Sequence, residues 1–411
     1  MDTDWWCDMA KLSIWLPPFS PDYSGVSAVL FDLDTVTAMH DASGCTGNYT
    51  GYDDPRWYGS RSGIFCSGLR QMDAVLGDDE KLMEKMEAAA KDLKPDLLAL
   101  VGSPVPMVIG ADLKGIAYEL EERTGIPGFG FDTTGTAYYD RGAFLAAREL
   151  LDRFAQPGEM QQGRVNILGA LPMDFGDGEN ISCLKTCLKQ NGYETGLCLA
   201  MDYSLEDLKK AANAQVNLAV SRFGYLTALY MERRFHIPYL CGFPVGEKGQ
   251  EDWLSAVKRV AQTGRTEMLW EADTSVADAA SATGSSARVL IIGEQVMSDS
   301  IRYALNRDFG FTSVTVGCLY GMEQALASPG DMDLGDEGRI RAAVNSPDYE
   351  MIIADPFIQP LLEEGSDKQF LPIAQYAISS KLGVEYSACV AGVHFNQWMC
   401  ARSLPGTRLW G

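Results

Sequence analysis

Two cysteines stand in loops suited to presenting a thiolate. Cys45 lies in Met-His-Asp-Ala-Ser-Gly-Cys-Thr-Gly-Asn (39–48), and Cys66 in Gly-Ile-Phe-Cys-Ser-Gly-Leu-Arg (63–70). Gly and Ser on either side let the backbone bend closely around a ligand, and a thiolate presented in this way can hold iron. The plain alternatives are a buried thiol at Cys45 and a simple strand end at Cys66. A third loop, 101–110, carries Ser103 between a predicted strand and a Pro-rich turn. Its hydroxyl reads as a turn or helix-cap group, with a further role open as a donor towards a bound cluster. His40 reads as a packing or hydrogen-bonding residue.

Other chemistry-bearing residues are spread along the chain. The stretch 49–61 holds Tyr49, Tyr52, Arg56 and Arg61, a set that suits a planar or anionic substrate and equally a subunit contact. Glu294, Asp355, Asp174 and Asp177 follow predicted strands, where an acid can donate protons into a cleft but more often caps the next helix. Cys183 and Cys187 share a helical face with no third ligand in sight, so core packing is expected for them. The same holds for Cys7, Cys198, Cys318, Cys389 and Cys400.

Composition narrows the classes. At 411 residues the chain is too long for one ordinary core, and two or three domains are expected. No apolar run approaches the roughly 20 residues that span a bilayer. The acidic start, Met-Asp-Thr-Asp, is unlike a signal peptide, so a cytoplasmic protein without membrane contact is expected. A net charge of −22 argues against a nucleic-acid partner. Ten cysteines without one Cys-x-x-Cys pair exclude zinc ribbons and thioredoxin chemistry, and three histidines exclude a His-rich metal site.

The elements that must position these residues alternate strand, turn and helix. Strands are expected at 96–102, 125–131, 164–170, 216–221, 236–242, 288–294, 313–317 and 351–355. Helices are expected at 109–124, 142–154, 224–234 and 298–307, and from about 179. Segments 155–163 and 280–287 read as linkers. The fold class is therefore α/β, with three Rossmann-like modules of parallel sheet in series: 1–160, 161–285, and 286–411 with a C-terminal segment. Ligands of such sheets bind beyond the carboxyl ends of strands, which here means loops 43–51, 102–108, 171–178, 221–225, 294–297 and 355–360.

Read in order, these loops resemble the nitrogenase component 1 type of oxidoreductase and its nitrogenase-like reductase relatives. The resemblance rests on His40 with Gly44-Cys45, then Gln71-Met-Asp73-Ala-Val75-Leu-Gly77-Asp-Asp-Glu-Lys-Leu82. Lys94-Pro-Asp96, Ser103-Pro104 and Ile109-Gly-Ala-Asp112 follow. It implies a component-1-like fold, a cluster at the interface of two related subunits, and a substrate cavity enclosed by three domains. It also implies electrons from a separate ATP-dependent iron–sulfur reductase, and the chain indeed has no Gly-x-x-x-x-Gly-Lys-Ser/Thr loop.

Departures from the family pattern refine this expectation. Residues 21–30 lack the additional cysteine of its cysteine-rich members, and Ser103 stands where many have a thiol. Cys66 stands where relatives more often carry Ser or Thr. The resemblance thus implies a [4Fe-4S] cluster gripped by Cys45 and Cys66 of two chains, with Gly44 and His40 beside it, in a homodimer or a heterodimer. Molybdenum members use a middle-domain Cys and a C-terminal His, for which Cys241 and His394 are the nearest types. His394 lacks the aromatic-His-Gly setting of those members. The expected substrate is therefore a tetrapyrrole or another small unsaturated or sulfur-containing molecule, with a second metallocofactor left open. A cluster-assembly scaffold of the same family is the alternative. A rival of another class is a magnesium-dependent phosphatase using Asp32 and Asp34 in Val-Leu-Phe-Asp-Leu-Asp-Thr (29–35).

Overall fold

The computed structural model describes residues 13–57, 63–77, 79–176, 178–271 and 286–402. Its strands form three wholly parallel sheets. The first contains β1 (Thr35–Met39), β2 (Gly63–Cys66), β3 (Leu97–Val101) and β4 (Gly128–Phe131), in the order β2-β1-β3-β4. The second contains β5 (Gln161–Leu168), β6 (Glu194–Cys198), β7 (Ala214–Ala219), β8 (Tyr239–Cys241) and β9 (Glu267–Met268), in the order β6-β5-β7-β8-β9. The third contains β10 (Arg288–Gly293), β11 (Ser313–Cys318), β12 (Met332–Asp333), β13 (Met351–Ala354) and β14 (Gln369–Pro372), in the order β12-β11-β10-β13-β14.

Central strands carry apolar side chains on both faces because helices cover both. All five residues of β3, Leu-Leu-Ala-Leu-Val, are buried. In each sheet the chain changes direction of travel at one pair of strands: β1/β3, β5/β7 and β10/β13. A crevice opens beyond the carboxyl ends at each such point. The six loops singled out from the sequence follow these six strands.

Several elements differ from expectation. The helix expected over 109–124 is two, Pro104–Ile109 and Leu113–Thr124, because Gly110 turns left-handed at φ +74° and Asp112 caps the second through the Gly115 N–H. The linker expected at 155–163 already enters β5 at Gln161. The expected boundary at 280–287 lies largely outside the described residues. Strands β6, β9, β12 and β14 are short and carry no apolar run that would mark them in the sequence.

Phosphatase chemistry at Asp32 and Asp34 is excluded by position. Both residues precede β1, at the amino end of the sheet, and Asp32 accepts hydrogen bonds from the Asp202 N–H (2.6 Å) and Arg56 Nη1 (3.3 Å). The C-terminal segment after β14 returns to the first sheet's neighbourhood, where Ser380 donates to the Tyr52 carbonyl and Lys381 to that of Gly51 (3.0 Å). No described helix is long and apolar enough to cross a membrane.

Helices Asp22–Leu30 and Tyr139–Phe154 cross at two glycines. A Cβ on Gly142 would lie 1.8 Å from the Asp22 carbonyl oxygen, and one on Gly25 1.8 Å from that of Tyr139. Backbone cannot yield there without moving a helix. Gly142→Ala is therefore expected to destabilise the chain by about 1–3 kcal/mol or more, as urea unfolding would measure.

Candidate functional site

The β1–helix turn is organised by one buried carboxylate. Asp41 Oδ2 accepts the N–H groups of Ser43 (2.9 Å), Cys45 (2.8 Å) and Thr46 (3.4 Å), which folds Gly44–Asn48 into a short helix. Its backbone carbonyl accepts from Cys66 Sγ (3.3 Å), Ser67 Oγ (3.2 Å) and the Leu69 N–H (2.8 Å). One residue thus ties both cysteine loops at the β1/β2 edge. Ser43 adopts φ +152°, a strained backbone just before the Gly44-Cys45 turn.

Both thiols are half-buried. The Cys45 sulfur lies within hydrogen-bonding reach of the Tyr23 and Ser103 hydroxyls, and burial followed by the Asp41 charge raises its pKa. Cys66 Sγ also accepts from the Gly68 N–H at 3.3 Å. Ser103 starts the Pro104–Ile109 helix, yet its hydroxyl does not cap it; it donates to the His40 carbonyl at 2.9 Å. His40 is buried with Nδ1 2.9 Å from Ser67 Oγ, and burial lowers its pKa. A Cβ added at Gly44 or Gly47 would meet nothing within 4 Å, so space beside Cys45 is open. The helices leaving these loops expose Met72, Val75, Leu76, Met107, Val108 and Ile109 to solvent, Val108 by 82%.

Arg56 is not free to bind an anionic substrate. Its guanidinium chelates Asp54 (3.1 and 2.8 Å) and donates to the carbonyls of Ala28 (3.0 Å) and Ala200 (2.8 Å), bracing the first sheet's region against the second. Tyr49 is fully buried and donates to Asp54 at 2.8 Å, so it too is structural. Tyr52 is exposed, and Arg61 and Asp177 lie outside the described residues.

Between the second and third sheets two adjoining small clefts share Asp174, Met297, Ile301, Ile373 and Ala374. Glu294 lines the second and caps helix Gln295–Phe309, accepting from Val296 (3.1 Å), Met297 (2.8 Å) and the Arg222 N–H (2.6 Å). Burial raises its pKa to about 7. Asp355 accepts from Phe357 (2.9 Å), Gln375 (2.7 Å) and Ser379 (2.7 Å), and burial raises its pKa to about 6. Asp174 differs from the cap expected of it. It sits inside the short Pro172–Phe175 helix, takes a hydrogen bond from the Tyr139 hydroxyl, and leaves Oδ2 buried without a partner. Burial, then the Glu294 charge, drives its pKa well above the ordinary carboxylate range.

Cys241 and His394 do not form a pair. Cys241 ends β8 fully buried, whereas exposed His394 gathers with Cys183 and Cys389, all three ligand atoms lying within 4.8 Å of one another. Cys183 and Cys389 also pack against the second and third sheets' shared core, as expected of them. Cys187 is buried, as expected. The sequence offered no local signal for this cluster, because Cys183 is 206 residues from Cys389. Asp41 and Tyr23 were missed for a similar reason, since their partners are set by tertiary contact.

Three wholly parallel sheets in series, with two thiol loops at one edge of the first, define the fold of this chain. The chain belongs to the nitrogenase component 1 type oxidoreductase family, whose model matches residues 22–324. It is 25% identical over 351 residues to one of the subunits of light-independent protochlorophyllide reductase from Halorhodospira halophila, covering 83% of this chain and 61% of that one. Its counterpart from Zygnema circumcarinatum is 24% identical over 197 residues, which are 44% of this chain and 38% of its own length. The nitrogenase molybdenum-iron protein alpha chain of Methanosarcina barkeri is 22% identical over 247 residues, 56% of this chain and 46% of that one. The chain thus spans less than two thirds of the length of these relatives. Its fold matches the solved structure titled nitrogenase Cp1 at pH 5, with a TM-score of 0.68, 16% identity, and 97% of this chain and 92% of that one covered.

The raised pKa of Glu294 gives a stability signature. The folded chain keeps this proton up to about pH 7, whereas the unfolded chain releases it near the ordinary 4.5. Between those values the folded state binds more protons, so the group's contribution to stability falls as pH rises. Urea unfolding at about pH 5 and about pH 8 should show a smaller loss in Glu294→Gln than in the wild type. Equal losses would mean that Glu294 titrates normally.

Proposed function

We propose that this chain is the catalytic subunit of a nitrogenase-like reductase. Electrons reach it through an iron–sulfur cluster shared between two chains and pass to a small unsaturated substrate in the interdomain cleft. The observation that carries this reading is the pair of half-buried thiols tied to Asp41 at an open sheet edge, rimmed by exposed apolar helices. Apolar rims of that kind are covered by a partner subunit.

The residues present suit a [4Fe-4S] cluster. Cys45 and Cys66 of two chains supply four thiolates, and open space lies over Gly44 and Gly47. The Gly68 N–H and the Tyr23 hydroxyl are placed to tune the sulfurs by hydrogen bonding, while Ser103, bonded to the His40 carbonyl, supports the loop behind them. A cluster bound there would relay single electrons. The chain's own part is to hold the thiolates, exclude water with the apolar rim, and store protons. Each two-electron reduction of an unsaturated bond takes up two protons. Asp174 and Glu294, whose proton affinities burial raises, line the cleft from which a substrate would draw protons. The relatives' names favour a tetrapyrrole or a comparably conjugated substrate and a further subunit, identical or related, as partner, and membership of the family favours a separate ATP-dependent iron–sulfur reductase as electron donor.

Protein purified without oxygen should be brown and hold about four irons and four sulfides per two chains. Cys45→Ala should lose the colour and most of the iron, while Cys400→Ser, at an exposed thiol far along the chain, should retain both. Full iron content in Cys45→Ala would remove the basis of the reading. Reductive turnover with a reductase and ATP is the expected activity; delivery of a cluster to another protein without turnover would make the chain an assembly scaffold.

A further inference from the structure

We propose that Cys183, Cys389 and His394 form a mononuclear zinc site, separate from the Cys45 and Cys66 thiols, that clamps the C-terminal segment onto helix Glu179–Gln190. The site rests on no part of the cluster reading. Its three ligand atoms lie within 4.8 Å of one another, and the two sulfurs are 3.8 Å apart. A disulfide needs about 2.05 Å between sulfurs. A tetrahedral zinc with bonds near 2.3 Å sets its sulfurs about 3.8 Å apart, the edge of the tetrahedron. The spacing, which in the absence of an ion is that of a hydrogen bond from the Cys389 thiol to the Cys183 sulfur, matches a thiolate pair around zinc.

The surrounding backbone holds this arrangement firmly. Cys183 lies in helix Glu179–Gln190, and Asn180, one turn earlier, clamps both sides of Cys389. Its Nδ2 donates to the Ala388 carbonyl (3.0 Å), and its Oδ1 accepts the Val390 N–H (2.8 Å). The Ala391 N–H is directed at the Cys389 sulfur, the contact that steadies a metal-bound thiolate. Gly392 turns left-handed at φ +53° and bonds the Pro244 carbonyl at 2.8 Å, which starts helix Val393–Arg402 with His394 in its first turn.

The donor set selects the ion. Two thiolates and an imidazole suit zinc and disfavour magnesium or calcium, which take oxygen. Three protein ligands leave a fourth position for water, next to the cleft that Cys389 also lines.

Metal-stripped wild-type chain, titrated anaerobically with cobalt(II) in the presence of reductant, tests the site. One cobalt per chain should give thiolate charge-transfer absorption with tetrahedral d–d bands, displaced by zinc. Those bands should persist in Cys45→Ser and be lost from Cys389→Ser, with affinity lowered at least tenfold in His394→Ala. His394 is exposed, so that variant should fold, and zinc should raise the melting temperature of the wild type but not of His394→Ala. Absence of the bands, their retention in both Cys389→Ser and His394→Ala, or a Cys183–Cys389 disulfide in the reduced protein would overturn the proposal.

Discussion

The buried Asp41 carboxylate is the constraint on which the thiol edge depends. Its Oδ2 gathers three N–H groups of the Cys45 loop, while its carbonyl takes the Cys66 sulfur, the Ser67 hydroxyl and the Leu69 N–H. A carboxylate with that many donors is well compensated for its burial. The two loops are therefore not independent. Any displacement of Asp41 moves both sulfurs, and the strained Ser43 backbone is held only because the carboxylate and the Gly44–Asn48 helix pull on it together.

From that edge the structure runs inward through charged brackets rather than through continuous apolar packing alone. Arg56 reaches from the segment after the Cys45 helix to the carbonyls of Ala28 and Ala200, so the first and second sheets share one guanidinium. Arg222, buried at the carboxyl end of β7, pairs with Asp140, with Glu323 (2.6 Å) and with the Tyr320 carbonyl (2.9 Å), linking residues near all three sheets. Breaking one partner of such a buried pair is costly, which makes these arginines determinants of how the sheets face each other. Burial at the same junction raises the pKa of Asp174 and of Glu294. Geometry that brings three sheets together thus also sets the acid chemistry of the cleft.

Much of this was legible in the sequence, and the limits have physical causes. Apolar runs such as Leu97–Val101 and Arg288–Gly293 announce buried parallel strands, and the loops after them fall at the points where strand order reverses. The family was legible because Gly44-Cys45, Ser103-Pro104 and Ile109-Gly110 keep their order and spacing. Strands β6, β9, β12 and β14 escaped because short edge strands need few apolar residues. Arg56 looked like a substrate anchor because a guanidinium reads the same whether its partners are a ligand or the carbonyls of Ala28 and Ala200. The Cys183, Cys389 and His394 cluster was invisible for the plainest reason, since it assembles only when helix Glu179–Gln190 meets the chain's last turns.

The central claim is that two chains meet at the thiol edge around one cluster. Native mass spectrometry of the anaerobically purified protein weighs that claim directly. The account predicts a two-chain species, identical or paired with a related subunit, heavier than its polypeptides by one four-iron, four-sulfide unit, and separating into metal-free single chains when the cluster is removed. A single chain that carries the whole cluster by itself, or a two-chain species with no iron, would contradict it.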